Sequence, residues 1–111
     1  MEYKIKSRIW IEANGEILLG KGRVSLLRAI EVTGSLSKAA KSLNMSYKKA
    51  WNLINDVNLK AQEPVVKMSI GGKGGGGTIL THYGKSLIDI FESINEDCHQ
   101  YLDNQLTQTS L

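Results

Sequence analysis

The 111-residue chain has little of what staples or interrupts a small fold: one cysteine, Cys98, one proline, Pro64, and one phenylalanine, Phe91. A single cysteine excludes an internal disulfide framework and zinc sites built from cysteine pairs. No apolar run approaches the ~18 residues of a membrane span. The start, Met1-Glu2-Tyr3-Lys4, has no apolar signal region, so a cytoplasmic protein with no membrane partner is expected. With 41% hydrophobic and 23% charged residues, the chain fits one small domain whose core is thin or shared. Bases are missing from one end altogether. Residues 1 to 85 hold all 14 Lys and Arg against six acids, a net of +8, whereas residues 86 to 111 hold five acids and no base. The overall +3 therefore conceals a basic body suited to a polyanion and an acidic final segment with a different task.

What is present is ordered periodicity. From Tyr3 to Ile11 the odd positions Tyr3, Ile5, Ile9 and Ile11 are apolar and Lys4, Lys6 and Arg8 alternate with them, which predicts a half-buried strand. Asn14-Gly15 suits a type I′ turn into Ile17-Leu18-Leu19, completing a hairpin. Val24, Leu27 and Ile30 then recur at helical spacing up to Gly34, a good residue to end a helix. Leu36, Ala39, Ala40 and Leu43 form the apolar stripe of a second helix, with Ser37, in preference to Ser35, expected as its N-cap. Asn44-Met45-Ser46 makes a tight break, and a third helix runs from Tyr47 to about Lys60, with Ala50, Ile54 and Val57 inward. After Pro64, Val65 to Ile70 and Thr78 to Thr81 predict two short strands around a loop that holds six of the 11 glycines. Residues 82 to about 106 predict a long helix in which Leu87, Phe91, Ile94, Cys98 and Tyr101 follow a near-3.5 repeat.

Two helices joined by a tight turn and followed by a two-stranded ribbon make a winged helix-turn-helix, so the expected fold is mainly α with small β. The domain proper covers residues 1–81 and includes the hairpin, and residues 82–111 supply a dimerisation helix and tail. Small residues such as Ala39, Ala40 and Ala50 let the helices cross closely, so that the third can enter a major groove ~12 Å wide. At its leading end stand Ser46, Tyr47, Lys48 and Lys49, with Asn52 one turn on. Lysine suits phosphate or guanine, tyrosine phosphate or an apolar contact, and asparagine adenine. The competing reading is a merely solvated basic face. Trp51 fits a core or groove-wall position better than a base contact.

The glycine loop does not meet the phosphate-binding P-loop template, because Lys73 is followed by Gly74 and Lys67 stands where the first glycine should be. A wing tip whose Lys73 approaches a phosphate or the minor groove fits better, against a connection that touches nothing. Cys98-His99 makes a poor nucleophile and base, since adjacent helix residues point about 100° apart. With no credible nucleophile, acid-base pair or metal cluster, neither an enzyme nor a metal or cofactor site is expected. The long apolar stripe exceeds what a three-helix body covers easily, which favours a homodimer over intramolecular docking.

Gly34-Ser35-Leu36-Ser37-Lys38-Ala39-Ala40, Ser46-Tyr47-Lys48-Lys49-Ala50-Trp51 and Ile54-Asn55 resemble the amino-terminal DNA-binding domain of ModE-type molybdate-responsive regulators, a LysR-like winged helix. The glycine string 71–77, with Leu80-Thr81 and Tyr83-Gly84 after it, is the more distinctive half of the match. Together they cover roughly residues 5 to 100. The resemblance implies a dimeric, sequence-specific binder of double-stranded DNA that uses its third helix and wing, with the last helix in the dimer. In that family separate carboxyl-terminal domains bind molybdate. This chain ends at Leu111, which implies either a stand-alone short member or sensing by a separate effector-binding protein.

The expected DNA contacts are thus Ser37, Lys38, Ser46, Tyr47, Lys48, Lys49, Asn52 and Lys73. The expected dimer contacts are Leu87, Phe91, Ile94, Cys98 and Tyr101. The reading of function is a transcriptional regulator on a palindromic operator, linked to molybdate metabolism. The alternative is a protein-interaction module on a winged-helix scaffold.

Overall fold

A computed structural model describes residues 1–69 and 77–111. Lys73 and the rest of the glycine string up to Gly76 lie outside the described residues. The element order is β1 (Trp10–Ala13), β2 (Glu16–Gly20), α1 (Lys21–Thr33), α2 (Leu36–Ser42), α3 (Tyr47–Lys60), β3 (Val66–Met68), β4 (Thr78–Leu80) and α4 (His82–Thr107). The strands form two separate antiparallel pairs, β1 with β2 and β3 with β4.

Local chemistry sets the joints. Asn14 and Gly15 both take positive φ, as a two-residue type I′ hairpin requires, and the register slips between Ile11 and Glu12. Gly34 ends α1 in the left-handed conformation and its N–H donates to Ile30 O at 2.8 Å. Asn44 takes the same conformation in the turn between α2 and α3. Ser35, not Ser37, caps α2, its hydroxyl accepting from Lys38 N at 3.1 Å. The helix starts at Leu36 because that residue must already face inward, and Leu36 is buried. Ser37 is left as an exposed residue of the first turn.

The core joins Leu19 of the hairpin, Val24, Leu26, Leu27 and Ile30 of α1, the alanines of α2, Ala50, Ile54 and Val57 of α3, and Ile88 and Phe91 of α4. Polar side chains fix the wing strands to this body. The Asn58 carboxamide accepts from Val65 N (2.7 Å) and Val66 N (3.1 Å) and donates to Val66 O (2.9 Å), bonding α3 to β3. The buried Thr78 hydroxyl accepts from Leu36 N at 3.3 Å, and Thr78 N donates to Gly34 O at 3.0 Å, joining β4 to the α1–α2 corner.

Two expectations change. The alternation from Tyr3 to Ile9 is not a strand: regular pairing begins only at Trp10. Ile5, Ser7 and Ile9 are nonetheless half-buried and Lys4, Lys6 and Arg8 exposed, and Ser7 Oγ lies 3.9 Å from Cys98 Sγ. The period-2 pattern thus records one side of an extended segment lying against α4. In α4, Phe91 is only 4% exposed and belongs to this chain's own core, with Leu87 partly buried against that core. Ile94 (51% exposed) and Tyr101 (63%) are open, as is Ile90, and Cys98 is half-buried. Two acids of α4 are also bound within the chain. Arg28 of α1 donates to Asp89 at 2.5 Å, to Glu92 and to Glu31 at 2.9 Å, and these bonds, Glu92 and Asp89 foremost, hold the guanidinium firmly protonated.

Gly84, in the first turn of α4, is packed so closely that an added Cβ would lie 2.4 Å from Val65 O. Gly84→Ala should therefore destabilise the fold by about 1–3 kcal/mol in denaturant titrations, against the helix preference for alanine. A neutral or stabilising effect would show that α4 does not start against Val65 in this way. Asp56 gives a pH test. Bonds from Lys60 first and Arg23 second hold its carboxyl below the ordinary value of 3.8, so its contribution is present above that value and lost as pH falls through the lower folded one. Asp56→Asn should lower the melting temperature at pH 7, and the gap to the parent should close in acid below about pH 4. A gap independent of pH would refute this role.

Candidate nucleic-acid interface

The leading end of α3 is built by one serine. Ser46 has extended backbone angles and its hydroxyl accepts from Lys49 N at 3.1 Å, which fixes where the helix starts. Burial of Ala50, Ile54 and Val57 then sets which way the helix faces. At 100° per residue, Lys48, Asn52, Asn55 and Leu59 fall opposite that buried side, and all four are exposed. The site thus combines a rigid inner face with an outer face of amide and ammonium groups.

The two flanks differ. On one, Tyr47 and Trp51 stand one turn apart, on the side from which Asn58 reaches the wing. Trp51 is 43% exposed and lies outside the buried core, so it lines the surface of the helix and does not fill the interior. On the other, Lys49 precedes Asp56 and Lys60, towards the hairpin. Asp56 accepts from Arg23 at 2.6 Å and from Lys60 at 2.9 Å, and Lys60 also lies 3.3 Å from Glu16. The bond to Asp56 is the main cause of the upward shift of the Lys60 ammonium pKa.

Ser46, Lys48, Lys49, Asn52, Arg23 and Asp56 line a single open groove along this flank. Charge is distributed unevenly within it. At the Asp56 end the bases are paired, whereas Lys48 and Lys49 have no acidic partner among the described residues. The uncompensated positive charge therefore sits at the first turn of α3, where the helix dipole adds to it. Such a surface attracts phosphate by charge and presents an amide at hydrogen-bonding depth, a combination suited to a duplex groove.

Of the expected DNA contacts, Ser46, Tyr47, Lys48, Lys49 and Asn52 come together on or beside this exposed face. Ser37 and Lys38 are exposed on α2, one helix away. Sequence reasoning missed Arg23, because its link to Asp56 spans 33 residues and has no periodic signature. It also missed the wing-positioning role of Asn58, for which the only signal was a second asparagine three residues after Asn55. Among the described residues no group of three His, Cys, Asp or Glu side chains could hold a metal ion, and no helix is long and apolar enough to cross a membrane.

No family model matches the chain. Individual relatives do. The transcriptional regulator ModE of Yersinia pestis is 49% identical over 70 residues, covering 63% of this chain and 27% of that protein. The molybdenum transport protein ModE of Azotobacter vinelandii is 37% identical over 97 residues, covering 87% of this chain and 36% of that protein. The chain thus spans about a quarter to a third of the length of these relatives. Among solved structures, MepR, a transcription regulator of a Staphylococcus aureus multidrug efflux pump, superimposes with a TM-score of 0.63 at 19% identity, over 83% of this chain and 67% of that one. Over the shared segment, this chain is a homologue of the ModE transcriptional regulators, and its fold is the mainly helical winged helix.

Proposed function

We propose that the chain is a sequence-specific binder of double-stranded DNA that acts in transcription regulation, not an enzyme. The observation that carries this reading is the exposed side of α3, where Lys48 and Asn52 on the outer face and Lys49 beside them have no acidic partner among the described residues, on a helix fixed by its buried inner face. Asn52 reads a base edge, Lys48 and Lys49 engage phosphate or guanine, and Ser46 and Tyr47 contact the backbone at the helix start. Ser37 and Lys38 extend the backbone contacts onto α2, and Lys73 of the wing reaches a phosphate or the minor groove. Trp51 joins Tyr47 as an apolar flank against sugar or thymine methyl groups.

The protein acts as a homodimer on a palindromic operator with half-sites ~34 Å apart. Ile90, Ile94 and Tyr101 form the core of the partner-facing strip, because Leu87 and Phe91 are engaged inside the chain. Cys98 borders that strip. The names of the relatives support a link to molybdenum metabolism. The setting is the cytoplasm, in keeping with a protein that binds DNA.

Titration of duplex DNA tests the first claim. Lys48→Ala with Lys49→Ala should weaken binding and reduce the slope of log affinity against log salt by about 1 for each phosphate no longer neutralised. Unchanged affinity and slope would remove α3 from the interface. Sedimentation tests the second. Ile94→Glu with Tyr101→Glu should turn a dimer into a folded monomer, and a parent protein that is already monomeric would overturn the dimer.

A further inference from the structure

A second concave surface lies behind the recognition helix, between the amino-terminal hairpin and the helix-turn-helix. It is a groove of about 680 Å³, within the usual range for a small-molecule site. Trp10 and Ile17 of the hairpin form one wall and Leu53 of α3 the other. Trp10 is 50% exposed and Ile17 44%, so the folded chain leaves much of that apolar wall open. The polar edge of Trp10 is already occupied, since its indole N–H donates to Glu12 at 2.9 Å. What remains available is a flat, apolar ring face.

The rim carries charge of one sign. Arg8, Lys21 and Lys49 line the groove, all exposed and without an ion-pair partner among the described residues, and no aspartate or glutamate lines it. Arg23 lines it too, but Asp56 neutralises that guanidinium. The positive end of α1 adds to the field, because Gly20 offers no side-chain cap and the first turn holds no acid. An apolar wall rimmed by uncompensated cations complements an occupant that is flat, apolar and anionic.

We propose that this groove binds a small aromatic carboxylate and that its occupancy weakens DNA binding. The first part stands on the groove alone, and the second rests on the function proposed above. The connection is Lys49, which lines both this groove and the DNA-facing one, as do Leu53 and Arg23. A carboxylate that holds the Lys49 ammonium withdraws it from phosphate, and by linkage DNA weakens the carboxylate to the same extent.

The test uses the full chain with 2-naphthoate as the probe and the neutral 2-naphthamide as its control. In nuclear magnetic resonance titrations, 2-naphthoate should saturate shifts of the Trp10 indole N–H and the Gly20 and Gly22 amides in the millimolar range, as suits a ligand of its size. The amide should bind about tenfold more weakly, and so should 2-naphthoate to Lys21→Ala, because each change removes a charge-assisted hydrogen bond. Non-saturable shifts, or equal affinity for acid and amide, would overturn the site. At constant ionic strength, saturating 2-naphthoate should then raise the Kd for duplex DNA about threefold or more, and the effect should fade in Lys21→Ala. Saturable binding with an unchanged DNA affinity would overturn the antagonism. Absence of any duplex binding, with or without probe, would instead overturn the DNA-binding reading and leave the groove result to be judged on the first titration.

Discussion

The carboxamide of Asn58 is the point on which the relation between α3 and the wing strands depends. One side chain on α3 makes three hydrogen bonds to the backbone of residues 65 and 66 and so turns a helix and a short ribbon into one body. The ribbon could not hold itself in place, since a two-stranded hairpin is marginal in water without packing. Two other constraints act on the same helix. Small alanines at the crossing set its distance from α2, and the Asp56 cluster ties its hairpin-side flank to α1. With three sides held, the fourth is presented at fixed pitch, which a binding face needs if its contacts are not to lose free energy to ordering.

Charge is arranged to the same end. The basic body and acidic final helix evident in the sequence are partly reconciled inside the molecule, because Arg28 commits its guanidinium to Asp89 and Glu92 and thereby ties α1 to α4. Arg23 and Lys60 are similarly absorbed by Asp56. Among the described residues Lys48 and Lys49, at the start of α3, are left without acidic partners, as are Lys38 and Lys41 on α2 and Lys67 on β3. Unpaired positive charge thus stays on the helix-turn-helix, while Glu96, Asp97 and Asp103, without ion-pair partners among the described residues, lie further along α4.

Much of this is legible in the chain itself, and the reasons differ by element. Asn14-Gly15, Gly34 and Asn44 each mark a backbone conformation that few residues tolerate, so the hairpin turn and both helix breaks are readable locally. The helices are readable because a buried stripe leaves a 3.6-residue period. The segment from Tyr3 to Ile9 misleads because alternation reports which side is covered, not what covers it, and here the cover includes a helix and not a strand. Ser35 and Ser37 cannot be separated by capping preference, and burial of Leu36 decides between them. Phe91 reads from its stripe as a partner-facing residue because a stripe does not say whether its cover comes from the same chain. Trp51 reads from its spacing as core or groove wall, and its 43% exposure removes the first of these. Pairings such as Arg23 with Asp56 and Arg28 with Asp89 arise only when distant segments meet, and no local pattern announces them.

The central claim is that α3 reads a duplex while the wing and a second protomer fix its register. Selection of bound sequences from a random pool of duplexes measures this most directly. The account predicts enrichment of a two-fold symmetric sequence whose half-sites lie about one helical turn apart, with information concentrated opposite Asn52 and lost in Asn52→Ala. Recovery of unselected duplexes without symmetry, or of a motif unaltered by that substitution, would contradict it.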